Sequence, residues 1–466
     1  MYHPETFETQ TILQNVSNIN DTKGCSPLYT LLYNKEMNYL ETVEYLFNSA
    51  PLFQQVGKEA YKEGLTNTLI LDHHFNHPHK HFRSIHIAGT NGKGSCSHTL
   101  AAILQSAGYK TGLYTSPHLI DFRERIRVNG EPIPEQYVID FVKNEKDFFE
   151  PLHPSFFELT TALAFQYFAE QKVEVAVIEV GLGGRLDCTN IIHPDLSIIT
   201  NISLDHTQFL GNSLAEIAAE KAGIIKTNRP VIIGESNDET APVFSDKAKK
   251  ENAPIIWAET EQHVLSSSPS PKGGRLYETK LYTHLFGELG GTYQIPNTNT
   301  ILTATEELKK LGFHITEEDI RKGFSEVCKI TNFMGRWQLL RTNPTLVCDA
   351  GHNVGGIKYI TEQLNLQTCD QLHIVLGMVS DKDIDSVLKL LPKNAIYYFT
   401  KATVKRAMDE YSLQKKAEQK GLRGNTYPNV LSATKAALTV ASSNDFIFVG
   451  GSCFIVADLL NNLDRL

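Results

Sequence analysis

The sequence predicts an α/β protein built from two mostly parallel sheets, and three observations carry that prediction. From residue 84 onward, short β-branched runs alternate with longer segments of helical period, as strands buried on both faces by crossover helices do. The alternation breaks over residues 258–293 and restarts near residue 343. A chain of 466 residues is also too long for one ordinary core.

Taken in order, residues 1–36 are polar and aperiodic, and are expected to be a disordered extension or translation from an upstream start. The first amphipathic run, "MNYLETVEYLF", begins at Met37. "HHFNHPHKHF" (73–82) packs five histidines into nine positions; Pro78 and the polar spacing favour a solvated loop over a metal site. "SIHIAG" (84–89) reads as a buried strand. After it, Cys96, Leu100, Ile103, Leu104 and Ala107 fall on one helical face, with Gly108 as the stop. "TGLYT" (111–115), "VEVAVIEV" (173–180), "LSIITNI" (196–202) and "PVIIGE" (230–235) continue the first series. "SSSPSPKGG" and "FGELGGTYQ" within 258–293 predict a surface hairpin or excursion. The second series has strands "TLVCDA" (345–350), "LHIVLG" (372–377), "AIYYFT" (395–400) and "DFIFVG" (445–450). The expected organisation is a first domain over 37–330, a hinge linker over 331–342 and a smaller second domain over 343–466.

Composition narrows the class. Hydrophobic content of 41% and charged content of 21% suit a soluble globular protein. The net charge of −9 gives no electrostatic reason for a nucleic acid partner. No apolar window is long enough for a membrane span, and "MYHPETFETQTILQN" lacks the blocks of a signal peptide. The 7 cysteines are scattered and never form CxxC, which suggests free thiols in a reducing cytoplasm.

The chemistry starts at "HIAGTNGKGSCSH" (86–98). A strand, a glycine-rich turn and a helix make an anion site, where backbone N–H groups and the helix N-terminus face phosphate and a lysine adds charge. The turn is Gly89-Thr90-Asn91-Gly92-Lys93-Gly94-Ser95. It has two residues between its first glycine and the GK pair, where the usual loop has four, and Gly94 precedes the hydroxyl residue. Glu179 ends an apolar strand, which places its carboxylate at the sheet's C-terminal crevice. Ser95 is a candidate metal ligand as the loop's hydroxyl residue. From spacing alone, His206 is equally a ligand or a structural histidine, and Lys221 is a solvated helix lysine.

"GTNGKGS" resembles the ATP loop of the Mur ligase superfamily, in particular its folate branch of dihydrofolate and folylpolyglutamate synthases, where glycine follows the lysine. The resemblance continues through "YTSPHL" (114–119), "ERIRVNG" (124–130), "FFELTTALAF" (156–165), "EVGLGGRLDCTN" (179–190), "LDHTQFLG" (204–211) and "EKAGIIK" (220–226). In the second series "GRW" (335–337), "DAGHN" (349–353), "GMVSDKD" (377–383) and "GGSCF" (450–454) extend it. It implies a P-loop Mur-ligase-like ATPase domain with a smaller C-terminal Rossmann-like domain, working in the cytoplasm as a monomer. The implied activity is ATP-dependent ligation of L-glutamate to dihydropteroate and to the γ-carboxyl of reduced folates through an acyl phosphate. Magnesium, two ions by the family pattern, is the implied metal, with room for a monovalent cation.

By the same resemblance Thr90, Asn91, Gly92, Lys93, Gly94 and Ser95 cradle ATP, with Asn297, Arg336 and Asp349 gripping it from the far side. Thr298 departs from the alanine common in the family. Ser116, Glu179 and His206 would ligate the metal, and Lys221 would be carbamylated to an N6-carboxylysine, which needs a neutral amine. Lys93, Glu179, His206 and Lys221 are the catalytic group. Ser155, Phe156, Phe157 and Glu158, with Leu186, Asp187 and Cys188, match pterin-contacting blocks; by spacing, the aromatic pair also fits a helix core. His352 and Ser452 would lie near the incoming glutamate. "KEGLTNT" (62–68) keeps Gly64 and Leu65 of a family loop but departs around Lys62–Glu63.

Three rivals are folylpolyglutamate synthesis alone, a cell-wall Mur ligase and a nucleotide switch. Gly94, and the few residues between Met37 and the loop, speak against the second. "EVGLGG", "LDHT" and a whole second domain would have no task in the third.

Overall fold

The computed structural model describes residues 37–49, 64–271, 273–380 and 382–466. The expectation for residues 1–36, and the departure at Lys62–Glu63, lie outside the described residues.

The first sheet contains β1 (Arg83–Ala88), β2 (Thr111–Tyr114), β3 (Ile126–Val128), β4 (Glu131–Pro132), β5 (Val175–Glu179), β6 (Leu196–Ile199), β7 (Val231–Ile233) and β8 (Ile255–Trp257). Their order is β4-β3-β2-β5-β1-β6-β7-β8. β1 lies between β5 and β6 and is parallel to both, with Ile87 opposite Glu179. The continuous apolar runs of β1, β5 and β6 are buried on both faces, as their composition requires. Because β1, β5, β6 and β7 run the same way, the loops that follow them open on one edge of the sheet.

Three strands of this sheet were not anticipated, β8 at one edge and β3 and β4 at the other side. β3 and β4 add antiparallel to the edge at β2. They are short, and β3 carries a buried arginine, Arg127, so periodicity could not mark them. The excursion over 258–293 is an antiparallel meander of β9 (Val264–Pro269), β10 (Arg275–Thr279) and β11 (Leu285–Gly287). It is anchored by Tyr277 and Leu285 in the first domain's core.

The helix Lys93–Ser106 is buried on every side from Ser95 to Leu104, not on one face as the spacing suggested. The sheet covers one side, and the helices Gln294–Lys310 and Glu317–Ser325 cover the other. Its polar positions tolerate this because they are small or bonded; His98 Nδ1 pairs with Thr331 Oγ1 at 2.8 Å. The histidine run is also less solvated than expected. His73 and His74 end the helix Thr66–His74, and buried Asp72 holds the Nδ1 atoms of His77 and His79 at 2.6 Å each.

The second sheet runs β12-β13-β17-β14-β15-β16. Its strands are β12 (Gln338–Thr342), β13 (Thr345–Asp349), β14 (Leu372–Leu376), β15 (Ile396–Phe399), β16 (Arg423–Thr426) and β17 (Phe446–Gly450). All pairs are parallel except β12 with β13. β12 occupies residues expected as hinge, so the crossing between domains is confined to 332–337. The reason is Trp337, which stacks on Phe446 and packs on Phe448 and so fixes the strand after it. β16, "RGNT", is polar and half-exposed and carried no strand signal. No helix among the described residues is long and apolar enough to cross a membrane.

Gly323 lets Glu317–Ser325 lie against Lys93–Ser106. A Cβ there would come within 2.5 Å of Ile103 Cγ1 and 2.7 Å of its Cα. Gly323→Ala should therefore cost about 1–3 kcal/mol by overpacking, read as a lower thermal transition by circular dichroism. An unchanged transition contradicts this packing.

Candidate functional site

β1 delivers the glycine turn to the open sheet edge. Gly89 takes φ +146, and a Cβ there would meet Thr200 Oγ1 at 1.8 Å, so only glycine fits. The loop is then pinned to the end of β6: Thr90 N donates to Asn201 O and Asn91 N to Asn201 Oδ1, both at 2.9 Å. Gly92, with φ +84, starts the helix without a side-chain cap, so the first helical N–H groups face the cleft. Asn297 packs against Gly92, with its Oδ1 2.3 Å from where a Cβ would stand. Lys93 Nζ donates to Gly89 O at 3.0 Å and Thr90 O at 3.2 Å.

Beside the loop, Glu179 is 4% exposed and accepts from Ser116 N at 3.3 Å. Burial raises its pKa, while Lys93, the Ser116 N–H, Arg336 and Arg125 draw it back down. Ser95 Oγ accepts from Gln294 Nε2 at 3.1 Å. His206 adopts φ +50, and burial lowers its pKa to about 3, so the imidazole is neutral at neutral pH. Lys221 is not solvated: it is 4% exposed, and its Nζ donates to Gly89 O at 2.9 Å. Burial, with nearby Lys93, lowers its pKa to about 7.

Among the described residues no group of three His, Cys, Asp or Glu side chains forms a ready metal cage. Glu179, Ser95, Ser116 and the neutral imidazole of His206 are among the groups that line the cleft instead. That donor set fits a hard divalent ion that completes its shell with phosphate oxygens and water.

The second domain closes over this edge. Asp349, at the end of β13, accepts from Tyr293 OH at 2.5 Å and from the N–H groups of Trp337 and Gly351 at 2.7 Å each. Arg336 lies 5.8 Å from the Phe333 ring centroid. Asp205 of the first domain pairs with Lys382 of the second at 2.7 Å, both side chains 11% exposed. Burial opposes ionisation of Asp205, but His206, Lys382 and His352 hold its carboxyl well below the usual range. Asn353 donates to Asp205 Oδ2 at 2.9 Å and to Asn91 Oδ1 at 3.0 Å, and Asn91 Nδ2 returns a bond at 3.3 Å. Burial lowers the His352 pKa to about 4, and Ser452 caps the helix Cys453–Leu460.

On the opposite flank, Ser155 and Glu158 form a capping box at the start of Phe156–Glu170. Phe156 is buried and stacks on Phe47 at 4.7 Å. Phe157 lies over Gly181, where a Cβ would come within 2.3 Å of its Cζ. Asp187 accepts from Leu182 N, Thr189 N and Thr189 Oγ1 at 2.8, 3.0 and 2.5 Å. The carboxylates of Glu158 and Asp187 are thus engaged by local backbone, while Phe157, Leu186 and Cys188 line the space between them.

Every candidate residue named from the sequence lines one cleft of about 370 Å³. Sequence reasoning missed Asp205, Asn353, Lys382, Tyr293 and Arg125. Asp205, Asn353, Lys382 and Arg125 stand inside motifs already singled out, but their partners are distant in sequence, so no spacing could reveal the pairs.

A profile of the Mur ligase middle domain matches residues 87–298, and one of the Mur ligase glutamate ligase domain matches residues 335–453. A Bacillus subtilis dihydrofolate synthase/folylpolyglutamate synthase is 32% identical over 419 residues, 87% of this chain and 96% of that protein. Among solved structures, a Mycobacterium tuberculosis folylpolyglutamate synthase complexed with ADP and AMPPCP superposes with TM-score 0.80 at 31% identity, covering 91% of this chain and 98% of that one. An Escherichia coli FolC in complex with DHPP and ADP gives 0.79 at 29%, covering 92% and 98%.

Removing one partner of a buried ion pair costs about 3–5 kcal/mol, because the other charge is left desolvated. Here the pair spans two domains, so opening them relieves the cost. Asp205→Asn should enlarge the radius of gyration in small-angle scattering relative to the parent protein. Identical scattering curves contradict the pair as a domain tie.

Proposed function

The chain belongs to the Mur ligase family, in its dihydrofolate synthase/folylpolyglutamate synthase branch, and on that premise we propose how its cleft joins L-glutamate to folates. The enzyme is an ATP-dependent ligase that adds glutamate to dihydropteroate and to the γ-carboxyl of reduced folates. The observation that carries the reading is one cleft in which Lys93, Glu179 and Lys221 face Arg336, Asp349 and Lys382 of the other half. One chain supplies both halves, so a monomer suffices.

A carboxylate and an amine do not condense in water at neutral pH, because the carboxylate is a poor electrophile. ATP solves this by phosphorylating the acid. A carboxylate oxygen bonds to the γ-phosphorus as ADP departs. The amine of glutamate then attacks the acyl carbon, and phosphate leaves with that oxygen. Lys93 and the N–H groups after Gly92 hold the phosphates. Asn297 faces the adenine, and Arg336 approaches the phosphoryl group as the domains close. Glu179, with Ser95, Ser116 and His206, would hold magnesium, which would offset the phosphate charge. Phe157, Leu186 and Cys188 give the pterin a flat apolar wall. Closure of the second domain keeps water from the acyl phosphate.

ADP release measured with dihydropteroate and with tetrahydrofolate, each with glutamate, should show turnover on both. Silence with dihydropteroate removes the first activity, and silence with both removes the reading. Lys93→Ala and Glu179→Ala should each lower kcat by about 100- to 1,000-fold or more, with unchanged circular dichroism. Parent-like rates contradict the phosphate and metal assignments.

Lys221 carries the second proposal. Its amine has a pKa lowered to about 7, so a large fraction is neutral near neutral pH and can add CO₂. Carbon-13 NMR in labelled bicarbonate should show a carbamate signal that grows as pH rises from about 6 to about 8. It should vanish in Lys221→Ala; a signal that survives there contradicts the assignment.

A further inference from the structure

His86 sits in the middle of the first sheet, on β1 between Ile178 of β5 and Ser197 of β6, and is fully buried. It is not among the residues that line the cleft, and no step of the ligation uses it. Burial, with Lys226 adding repulsion, lowers its pKa to about 3, so the imidazole is neutral and carries one N–H. Its Nε2 lies 2.8 Å from Thr189 Oγ1, and among the described residues its Nδ1 has no partner. A proton on Nδ1 would therefore be a buried donor left unpaired, whereas a proton on Nε2 is bonded. The geometry selects the Nε2–H form.

That form decides the next bond. Thr189 has a single hydroxyl proton, and a nitrogen that donates to its oxygen cannot accept that proton. The proton is thus committed to Asp187 Oδ1, 2.5 Å away. An N–H behind the hydroxyl also polarises it and strengthens its bond to the carboxylate. Burial raises the Asp187 pKa, and of the donors that oppose this the Thr189 hydroxyl acts most strongly. The carboxylate also accepts from Thr189 N at 3.0 Å and Leu182 N at 2.8 Å, bracing both ends of the loop 182–189. That loop brings Leu186 and Cys188 into the cleft wall, which Phe157 shares. A buried imidazole on the central strand therefore reaches that wall through two hydrogen bonds in series.

We propose that His86 is a positioning residue for the acceptor: through Thr189 and Asp187 it sets the loop 182–189 as the wall on which the pterin ring lies. This rests on the ligase reading above and adds to it a residue that touches no reactant. The effect belongs to the acceptor side, because the phosphate loop that β1 also delivers is held separately, by Asn201.

The test is steady-state kinetics with dihydropteroate, ATP and glutamate for the parent, His86→Leu, His86→Gln, Thr189→Val and the double variant His86→Leu/Thr189→Val. A parent without turnover counts against the ligase reading, whereas an active parent isolates this proposal. In His86→Leu the KM for dihydropteroate should rise about 3- to 10-fold, the worth of one neutral hydrogen bond. The KM for ATP should stay within about twofold. His86→Gln, whose amide donates from the place of Nε2, should recover most of the loss. The double variant should rise no further than Thr189→Val alone, because the two side chains act in series. An unchanged dihydropteroate KM overturns the proposal, as do equal losses in His86→Leu and His86→Gln, multiplied losses in the double variant, or a rise shared equally by ATP. If His86→Leu does not fold, nitrogen-15 NMR of the labelled parent decides. A neutral Nε2–H histidine signal that disappears in His86→Gln is expected, and an Nδ1–H signal that disappears instead is the contrary result.

Discussion

The buried pair of Asp205 and Lys382, with the amides of Asn91 and Asn353 beside it, is the constraint on which the rest of the site depends. Each sheet alone is an open crevice whose strand ends carry half of a binding site. The ion pair, 2.7 Å long and mostly desolvated, holds the two crevices face to face. Asn353 extends the tie to the glycine turn itself, since it bonds both Asp205 and Asn91. The loop that carries Lys93 is thus bonded directly to the second domain.

The site's electrostatics follow from that arrangement. Lys93, Lys221, Arg125, Arg336, Lys382 and Arg406 line a cleft with the carboxylates of Glu158, Glu179, Asp187, Asp205, Glu235 and Asp349, of which Asp205 is paired with Lys382 and Glu158 and Asp187 are engaged by local backbone. Such a cleft suits a triphosphate and two acids that must approach one another despite their charges. The same crowding explains why Lys221 loses its proton so readily: burial dominates, and Lys93 adds repulsion. Glu179 balances Lys93 there, held beside the loop by the Ser116 N–H.

Much of this was legible in the sequence because the first sheet is parallel. Apolar strands that end in Gly89 and Glu179 announce both the sheet edge and the groups on it. Motif order then located the second domain's share, including Asp349 and His352. What could not be read were pairings across distance. Asp205 and Lys382 are an ordinary acid and an ordinary lysine until the fold joins them. Lys221 looked solvated, since helical spacing does not tell which face a later loop will cover. β4, β12 and β16 escaped because edge strands are short or half-polar, which removes the pattern that periodicity detects, and β3 because it spans only three residues around a buried arginine. The capping box of Ser155 and Glu158 shows the converse: residues matched to a ligand-binding block also do local structural work.

The central claim is that the acid is activated by phosphoryl transfer inside this cleft, and the oxygen atoms can be followed directly. Dihydropteroate labelled with oxygen-18 in its carboxylate should, after turnover with ATP and glutamate, deliver one labelled oxygen to each inorganic phosphate released. Phosphate that carries no label would contradict the account.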